Sequence, residues 1–268
     1  MQRKLIALDL DGTTLNQDAQ LSPKTTQTLT ELQSAGHIVS IVTGRPNRLS
    51  QNFYQQLGLT SPMINFNGAL AHIPGQKWAD EYQYTVNKDI VFALLQLKDQ
   101  FKIQMVAAEG KTMFLADQAY PNTFSFFPAT LKRDELLTRD SLQQDPTAIT
   151  VFVERSDQAA LRQMILDQFP QVDVNTWGGP ASVLEIVHHG IQKAKGLAHL
   201  ADYYQIDQHD ILAFGDESND LEMLDYAGLG IAMHNAIAPV KAIANDVTPL
   251  TNAQDGVANY LIQYFNLA

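Results

Sequence analysis

A chain of 268 residues, 45% of them hydrophobic, can bury a substantial core as one large domain or two modest ones, and is not a disordered chain. Its formal net charge of −11 argues against a general nucleic-acid binder, because no excess of Lys and Arg exists to neutralise phosphates; a small anionic substrate requires local cations. The absence of cysteine excludes disulfides, thiolate metal ligands and a cysteine nucleophile, so any metal sits among oxygen or imidazole ligands, and oxygen suits Mg2+ or Ca2+.

At the N-terminus Asp9 and Asp11 interrupt an apolar stretch too early for a signal peptide, and no segment approaches the length of a membrane span. The expectation is a soluble cytoplasmic protein with no membrane partner. Short runs rich in Val, Ile, Leu and Phe then follow at Lys4–Leu8, Ile38–Val42, Met63–Phe66 and Ile211–Phe214, each ending in a polar, Gly-containing turn. Between them, Pro23–Ala35 and Asn47–Leu57 have helical spacing. The first has Ser22 as N-cap, Pro23 at the first helical position and Gly36 at the stop. Buried strands alternating with helices predict a parallel sheet covered on both faces, with ligands outside the carboxyl ends of its strands.

The middle of the chain differs. Strand-like runs at Ile103–Val106, Thr112–Leu115, Ile149–Glu154 and Ser182–Ile186 alternate apolar and polar residues more, as expected of a sheet with one covered face. Two helical stretches, Lys88–Gln100 and Gln158–Phe169, are interleaved with them. Residues 83–187 are therefore read as a smaller α/β domain inserted into a core formed by 1–82 and 188–268.

Candidate chemistry collects in the turns after the first set of runs. Asp9-Leu10-Asp11-Gly12-Thr13 places two carboxylates at the end of a buried strand, where their repulsion calls for a cation or donors; Gly12 lets the backbone approach a ligand closely. A capped strand-to-loop turn is the plainer explanation of that segment taken alone. Thr43, Gly44 and Arg45 offer a hydroxyl, a backbone N–H and a cation for phosphoryl oxygens or a substrate anion, although a Thr cap and Gly turn have the same composition. Asn67-Gly68 alone is most often a simple turn. In Gly215-Asp216-Glu217-Ser218-Asn219-Asp220, Asp216 offers a cation ligand, Asn219 a phosphate donor and Asp220 a brace for its neighbours; the same acids also suit a helix N-terminus. Lys193, with Lys195 close behind, could neutralise charge, whereas most lysines are solvated. The adjacent His188 and His189 point to opposite faces of an extended segment and are read as structural or exposed.

In order, the motifs DLDGT (Asp9–Thr13), VTGR (Val42–Arg45), NGA (Asn67–Ala69), a lysine after Gly190 and GDESND (Gly215–Asp220) resemble the haloacid dehalogenase superfamily. More narrowly they are similar to its Cof-type phosphatases, which carry a large α/β cap between the second and third motifs. The stretches Gly230–Ala236 and Asp255–Ala258 also look like this subgroup. The resemblance implies an α/β fold, a doubly wound, Rossmann-like parallel-sheet core with an inserted α/β cap. It implies a Mg2+-dependent phosphatase of small phosphorylated metabolites, sugar phosphates or cofactor-like phosphates. Asp9 is then the nucleophile and Asp11 the general acid and base. Mg2+ is held by Asp9, the backbone carbonyl of Asp11, and Asp216. Thr43 and Lys193 hold the phosphoryl oxygens with help from Asn219; Gly44, Arg45, Asn67 and Gly68 bind substrate or phosphate, and Asp220 braces the cluster. A phosphomutase or other phosphotransferase on the same scaffold, and a non-catalytic phospho-ligand sensor, are the alternatives. Thr14 stands where the family usually has Leu and is read as packing variation; His234 stands where Gly is usual. Specificity is expected in the cap, at Trp177–Pro180 and Tyr120–Phe127.

Overall fold

The computed structural model describes residues 2–120, 126–177 and 182–267. In chain order its first part runs β1 (Leu5–Leu8), α1 (Pro23–Ser34), β2 (Ile38–Ile41), α2 (Asn47–Gln56), β3 (Met63–Asn65), β4 (Leu70–His72) and β5 (Tyr82–Gln83). The middle contains α3 (Asp89–Gln96), α4 (Lys98–Phe101), β6 (Ile103–Glu109), β7 (Phe114–Ala116), β8 (Ala148–Val153), α5 (Gln158–Gln168), β9 (Val172–Thr176) and β10 (Val183–His188). The last part comprises α6 (Lys193–Tyr204), β11 (Ile211–Gly215), α7 (Leu221–Tyr226), β12 (Leu229–Ala232), α8 (Ala238–Ile243), β13 (Asp246–Val247) and α9 (Gly256–Phe265). Two compact units result: residues 1–45, 50–82 and 192–268, and residues 46–49 and 83–191.

The first unit is built on a five-stranded sheet in the order β13-β12-β11-β1-β2, with every neighbouring pair parallel. Strands β1, β2 and β11 are buried along their whole length, as expected of largely apolar strands in a sheet covered by helices; the one hydroxyl among them, Ser40 of β2, donates to the Pro62 carbonyl at 2.7 Å. Helix α1 packs on α9, and α6 on α7. The Ser22 side chain accepts the Thr25 N–H, with Pro23 opening the helix, so the start of α1 is fixed by local chemistry.

Met63–Phe66 does not simply extend the parallel sheet. Strand β3 pairs antiparallel with β4, and one parallel bridge, Val42 to Ile64, joins it to the chain leaving β2. Phe66, Asn67 and Gly68 have φ of 51°, 55° and 108°, which folds the strand straight back. At Gly68 the reason for glycine is contact as well as conformation, since a Cβ would lie 2.3 Å from the Gln192 carbonyl oxygen.

The second unit holds an antiparallel sheet in the order β7-β6-β8-β10-β9. Helix residues Ile90, Val91, Leu94, Leu161 and Ile165 pack on one face. The expectation of a single covered face is corrected: β8 is buried throughout, and on the other face Met105, Ala107, Phe127, Phe152 and Val183 form a second apolar layer. Aromatic side chains supply that cover, with Trp177 stacked on Phe127 at 6.1 Å. The carboxylate Glu109 is tolerated there because Arg48 binds both its oxygens, at 2.7 and 3.0 Å, while lying 4.4 Å over the Phe114 ring. Tyr120, Phe126, Phe127 and Trp177 thus pack on this sheet; the rest of the two segments expected to set specificity lies outside the described residues. The stretch Lys88–Gln100, expected as one helix, is two, meeting at Leu97. Among the described residues no helix is long and apolar enough to cross a membrane.

Candidate active site

The strand-end rule of parallel sheets puts the turns after β1, β2 and β11 side by side, because these three strands are sheet neighbours running the same way. Asp9 leaves β1 with extended backbone, and its N–H donates to the Phe214 carbonyl of β11 at 3.1 Å. The chain then turns tightly through 10–14, with Gly12 at φ 70°. A Cβ on Gly12 would lie 2.2 Å from Asp216 Oδ2, so glycine here admits both the turn and the neighbouring carboxylate.

Around Asp9 the side chains form one connected cluster. Lys193, in the first turn of α6 and fully buried, donates from Nζ to Asp9 Oδ1 at 2.6 Å and to Asp220 Oδ1 at 2.7 Å. Lys195 is exposed, so of the two lysines it is Lys193 that faces the carboxylates. Asp220 Oδ2 accepts the backbone N–H of Asp216 and Glu217, at 2.9 and 3.1 Å. Thr13 Oγ1 donates to Asp216 Oδ1 at 2.9 Å. Carboxylate oxygens of Asp9, Asp216 and Asp220 lie within 4.8 Å of one another.

The electrostatics are those of excess negative charge out of water. Burial, reinforced by Asp220 and Asp216 and opposed by Lys193, pushes the Asp9 carboxyl well above its ordinary pKa. Burial and the Asp220 charge push Asp216 up to about 7. Burial alone would lower the Lys193 pKa, but Asp220 and Asp9 outweigh it and hold the ammonium charged. Three carboxylates therefore share one ammonium. Asp220 spends both oxygens on Lys193 and two backbone amides, whereas Asp9 and Asp216 each use one oxygen within the protein. That donor set, hard oxygens with surplus negative charge, fits a divalent cation.

The second wall comes from the turns after β2 and β3. Thr43 is buried and its Oγ1 accepts the Arg45 N–H at 3.1 Å, while its carbonyl accepts the Asn67 N–H. Arg45 does not stand free at the mouth: its Nε and Nη2 donate to the two oxygens of Asp11, at 2.7 and 2.5 Å. Asn219 Nδ2 donates to Asn67 Oδ1 at 2.9 Å, and that oxygen lies where a Cβ on Gly44 would meet it at 2.9 Å.

The structure thus gathers Asp9, Lys193, Asp216 and Asp220, and separately links Asp11 to Arg45 and Asn67 to Asn219. Several participants were not picked out in the sequence. Thr14 is more than packing: its hydroxyl donates to the Asp9 carbonyl at 2.5 Å. Asn235, in the stretch after β12, donates to the Gly12 carbonyl at 2.7 Å and accepts the Asn252 N–H, which ties the first turn to the C-terminal segment. Its place in Gly230–Ala236 was the available signal. His234 is exposed and engages Thr248 through its backbone N–H.

Comparison with known proteins shows the family. Residues 6–261 match the haloacid dehalogenase-like hydrolase family. The chain is 40% identical to the 5-amino-6-(5-phospho-D-ribitylamino)uracil phosphatase YitU of Bacillus subtilis, covering 98% of each, and 30% identical to the putative phosphatase YkrA of the same organism, covering 96% of each. A haloacid dehalogenase-like hydrolase from Bacteroides thetaiotaomicron superposes with a TM-score of 0.83 at 23% identity, covering 98% of this chain and 100% of that one. The chain belongs to the haloacid dehalogenase-like hydrolases, as a phosphatase of the Cof type.

Proposed function

We propose that this phosphatase hydrolyses a small phosphorylated metabolite in a Mg2+-dependent reaction, by way of a phosphoryl group carried on Asp9. The observation that carries the reading is the fully buried Lys193 bridging Asp9 and Asp220. It fixes a carboxylate as an oriented nucleophile and supplies positive charge where phosphoryl oxygens gather.

In the first step an Asp9 carboxylate oxygen attacks phosphorus, the P–O bond to the leaving group breaks, and Asp11 gives its proton to the departing alkoxide. Asp11, now ionised, takes a proton from water, whose oxygen attacks phosphorus; the acyl phosphate breaks, releasing inorganic phosphate and restoring Asp9. Lys193 and Thr43 hold the phosphoryl oxygens, with Asn219, Gly44, Asn67 and Gly68 along the same rim, and Asp220 keeps Lys193 in place. Asp9, Asp216 and the Asp11 carbonyl would hold Mg2+, which neutralises charge on the transferring group.

The name of the 40% identical relative makes the phosphate ester of a ribitylaminouracil the first substrate to try, beside sugar phosphates. Phosphate release would be followed with Mg2+ and with chelator, for the native protein and for Asp9→Asn. Metal-dependent release that Asp9→Asn abolishes supports the reading. Release that survives the substitution removes Asp9 as nucleophile, and an isomerised phosphate ester in place of free phosphate identifies a mutase.

A further inference from the structure

One histidine is buried behind the Arg45 turn with no part in the chemistry above. His72, the last residue of β4, is fully buried, and its Nε2 lies 2.9 Å from Asn65 Oδ1. Asn65, the last residue of β3, is equally buried and sends its Nδ2 to the Arg45 carbonyl and to Ser50 Oγ, both at 2.8 Å. A carbonyl only accepts, so the amide of Asn65 must turn its NH2 toward Arg45 and its oxygen toward His72. That oxygen needs a donor, which fixes His72 as the tautomer with its proton on Nε2.

The same Arg45 carbonyl also accepts the Phe66 N–H at 3.3 Å, at the start of the turn where Phe66 and Asn67 both have positive φ. A phenylalanine in that conformation persists only where its surroundings over-determine it. The over-determining contacts are Phe66 N–H to Arg45, Asn67 N–H to Thr43, and the Asn65 amide clamped between Arg45 and His72. The peptide of Arg45 is therefore held from behind while its guanidinium reaches forward to both oxygens of Asp11.

We propose that His72 is a positioning residue: through Asn65 it sets the Arg45 peptide, and thereby aims the Arg45 guanidinium at Asp11. The inference rests on the proposed role of Asp11. Its test uses p-nitrophenyl phosphate with Mg2+ and the variants His72→Leu, His72→Gln, Arg45→Ala, Arg45→Ala/His72→Leu and Asp9→Asn. His72→Leu removes the donor and should lower kcat, which with this substrate includes the Asp11-dependent hydrolysis step, about tenfold or more, the scale on which a misplaced catalytic group costs rate. His72→Gln carries an amide N–H at the reach of Nε2 and should recover most of that loss. In the Arg45→Ala background His72→Leu should cost no more than about twofold, because no guanidinium remains to be aimed.

Equal losses in both backgrounds, or no rescue by glutamine, would overturn the positioning role. Activity surviving Asp9→Asn would instead overturn the reading of the reaction, leaving the His72–Arg45 coupling to be read from the other variants. The tautomer is checked on the native protein, independently of whether any variant folds. Nitrogen NMR of His72 should show the proton on Nε2, and a proton on Nδ1 alone would sink the proposal.

Discussion

Arg45 and Asp11 face each other as a two-pronged ion pair, Nε to one carboxylate oxygen at 2.7 Å and Nη2 to the other at 2.5 Å. The Asp11 side chain is half exposed, so the pair owes its value to geometry more than to Coulomb energy. A residue that first gives and then takes a proton must keep one orientation through both steps. Asp11→Asn can do neither, and turnover of an alkyl phosphate should fall by about 10²- to 10⁴-fold. With p-nitrophenyl phosphate, whose leaving group departs unprotonated, the first step should survive. A burst of about one nitrophenolate per site, followed by slow turnover, is expected in rapid-mixing experiments. A steady rate without a burst would place Asp11 in the first step only.

Gly12 is the backbone position on which the acidic cluster depends. Alanine there meets a positive φ, at a cost of about 1–2 kcal/mol, and a Cβ 2.2 Å from Asp216 Oδ2. Asp216 must move away. The Mg2+ concentration for half-maximal rate should rise about tenfold or more, as when a ligand's support is disturbed. A Mg2+ titration of the hydrolysis rate in Gly12→Ala checks this, and an unchanged midpoint would remove Asp216 from the metal site.

Thr14 binds the carbonyl of the proposed nucleophile, at 2.5 Å and buried. Thr14→Val keeps the shape and deletes the donor. Unfolding in urea should show a loss of about 1 kcal/mol, the usual net worth of one such bond. Because Asp9 is then less firmly placed, kcat should fall while KM holds. A change in stability with no change in kcat would leave Thr14 a purely structural part.

His37 makes stability depend on pH away from the site. It is buried, its Nδ1 accepts the Lys4 N–H at 3.1 Å, and it packs against the Phe265 ring at 4.6 Å. Burial, and then nearby positive charge including Lys4, lowers its pKa from 6.5. As pH falls below 6.5 the unfolded chain takes up a proton that the folded one still refuses, so the unfolded state gains and stability declines through the window between 6.5 and the lowered folded value. His37→Asn keeps an acceptor near Nδ1 but cannot titrate. Thermal melts across that window should show a smaller fall in Tm for the variant than for the native protein, and identical falls would remove His37 as the cause.

What the sequence alone determined is what local chemistry can decide. The runs of β1, β2 and β11 are almost wholly apolar because both their faces are covered, and the Ser22-Pro23 start of α1 is complete within four residues. The turn segments bearing Asp9, Thr43 and Asp216 stood out because polar and glycine residues there follow buried strands. Strands as short as β13, or as polar as β9, carried too little pattern to be read. The second apolar layer of the inserted domain was hidden for a related reason, since β10 presents Glu185 among the residues of a face that looks half polar in sequence and is buried in the fold.

Only the tertiary structure decided which side chains meet. Lys193 reaches Asp9 across 184 positions and Arg45 reaches Asp11 across 34, and neither pairing has any local signature. Lys193 and Lys195 are chemically alike; the direction in which α6 presents its first turn buries one and exposes the other. Asn65, His72 and Asn235 are ordinary polar residues in the sequence. Strand β3 sets the Asn65 amide on the Arg45 carbonyl, β4 brings His72 to the Asn65 oxygen, and the stretch after β12 carries Asn235 to the Gly12 carbonyl, pairings that exist only in the folded chain.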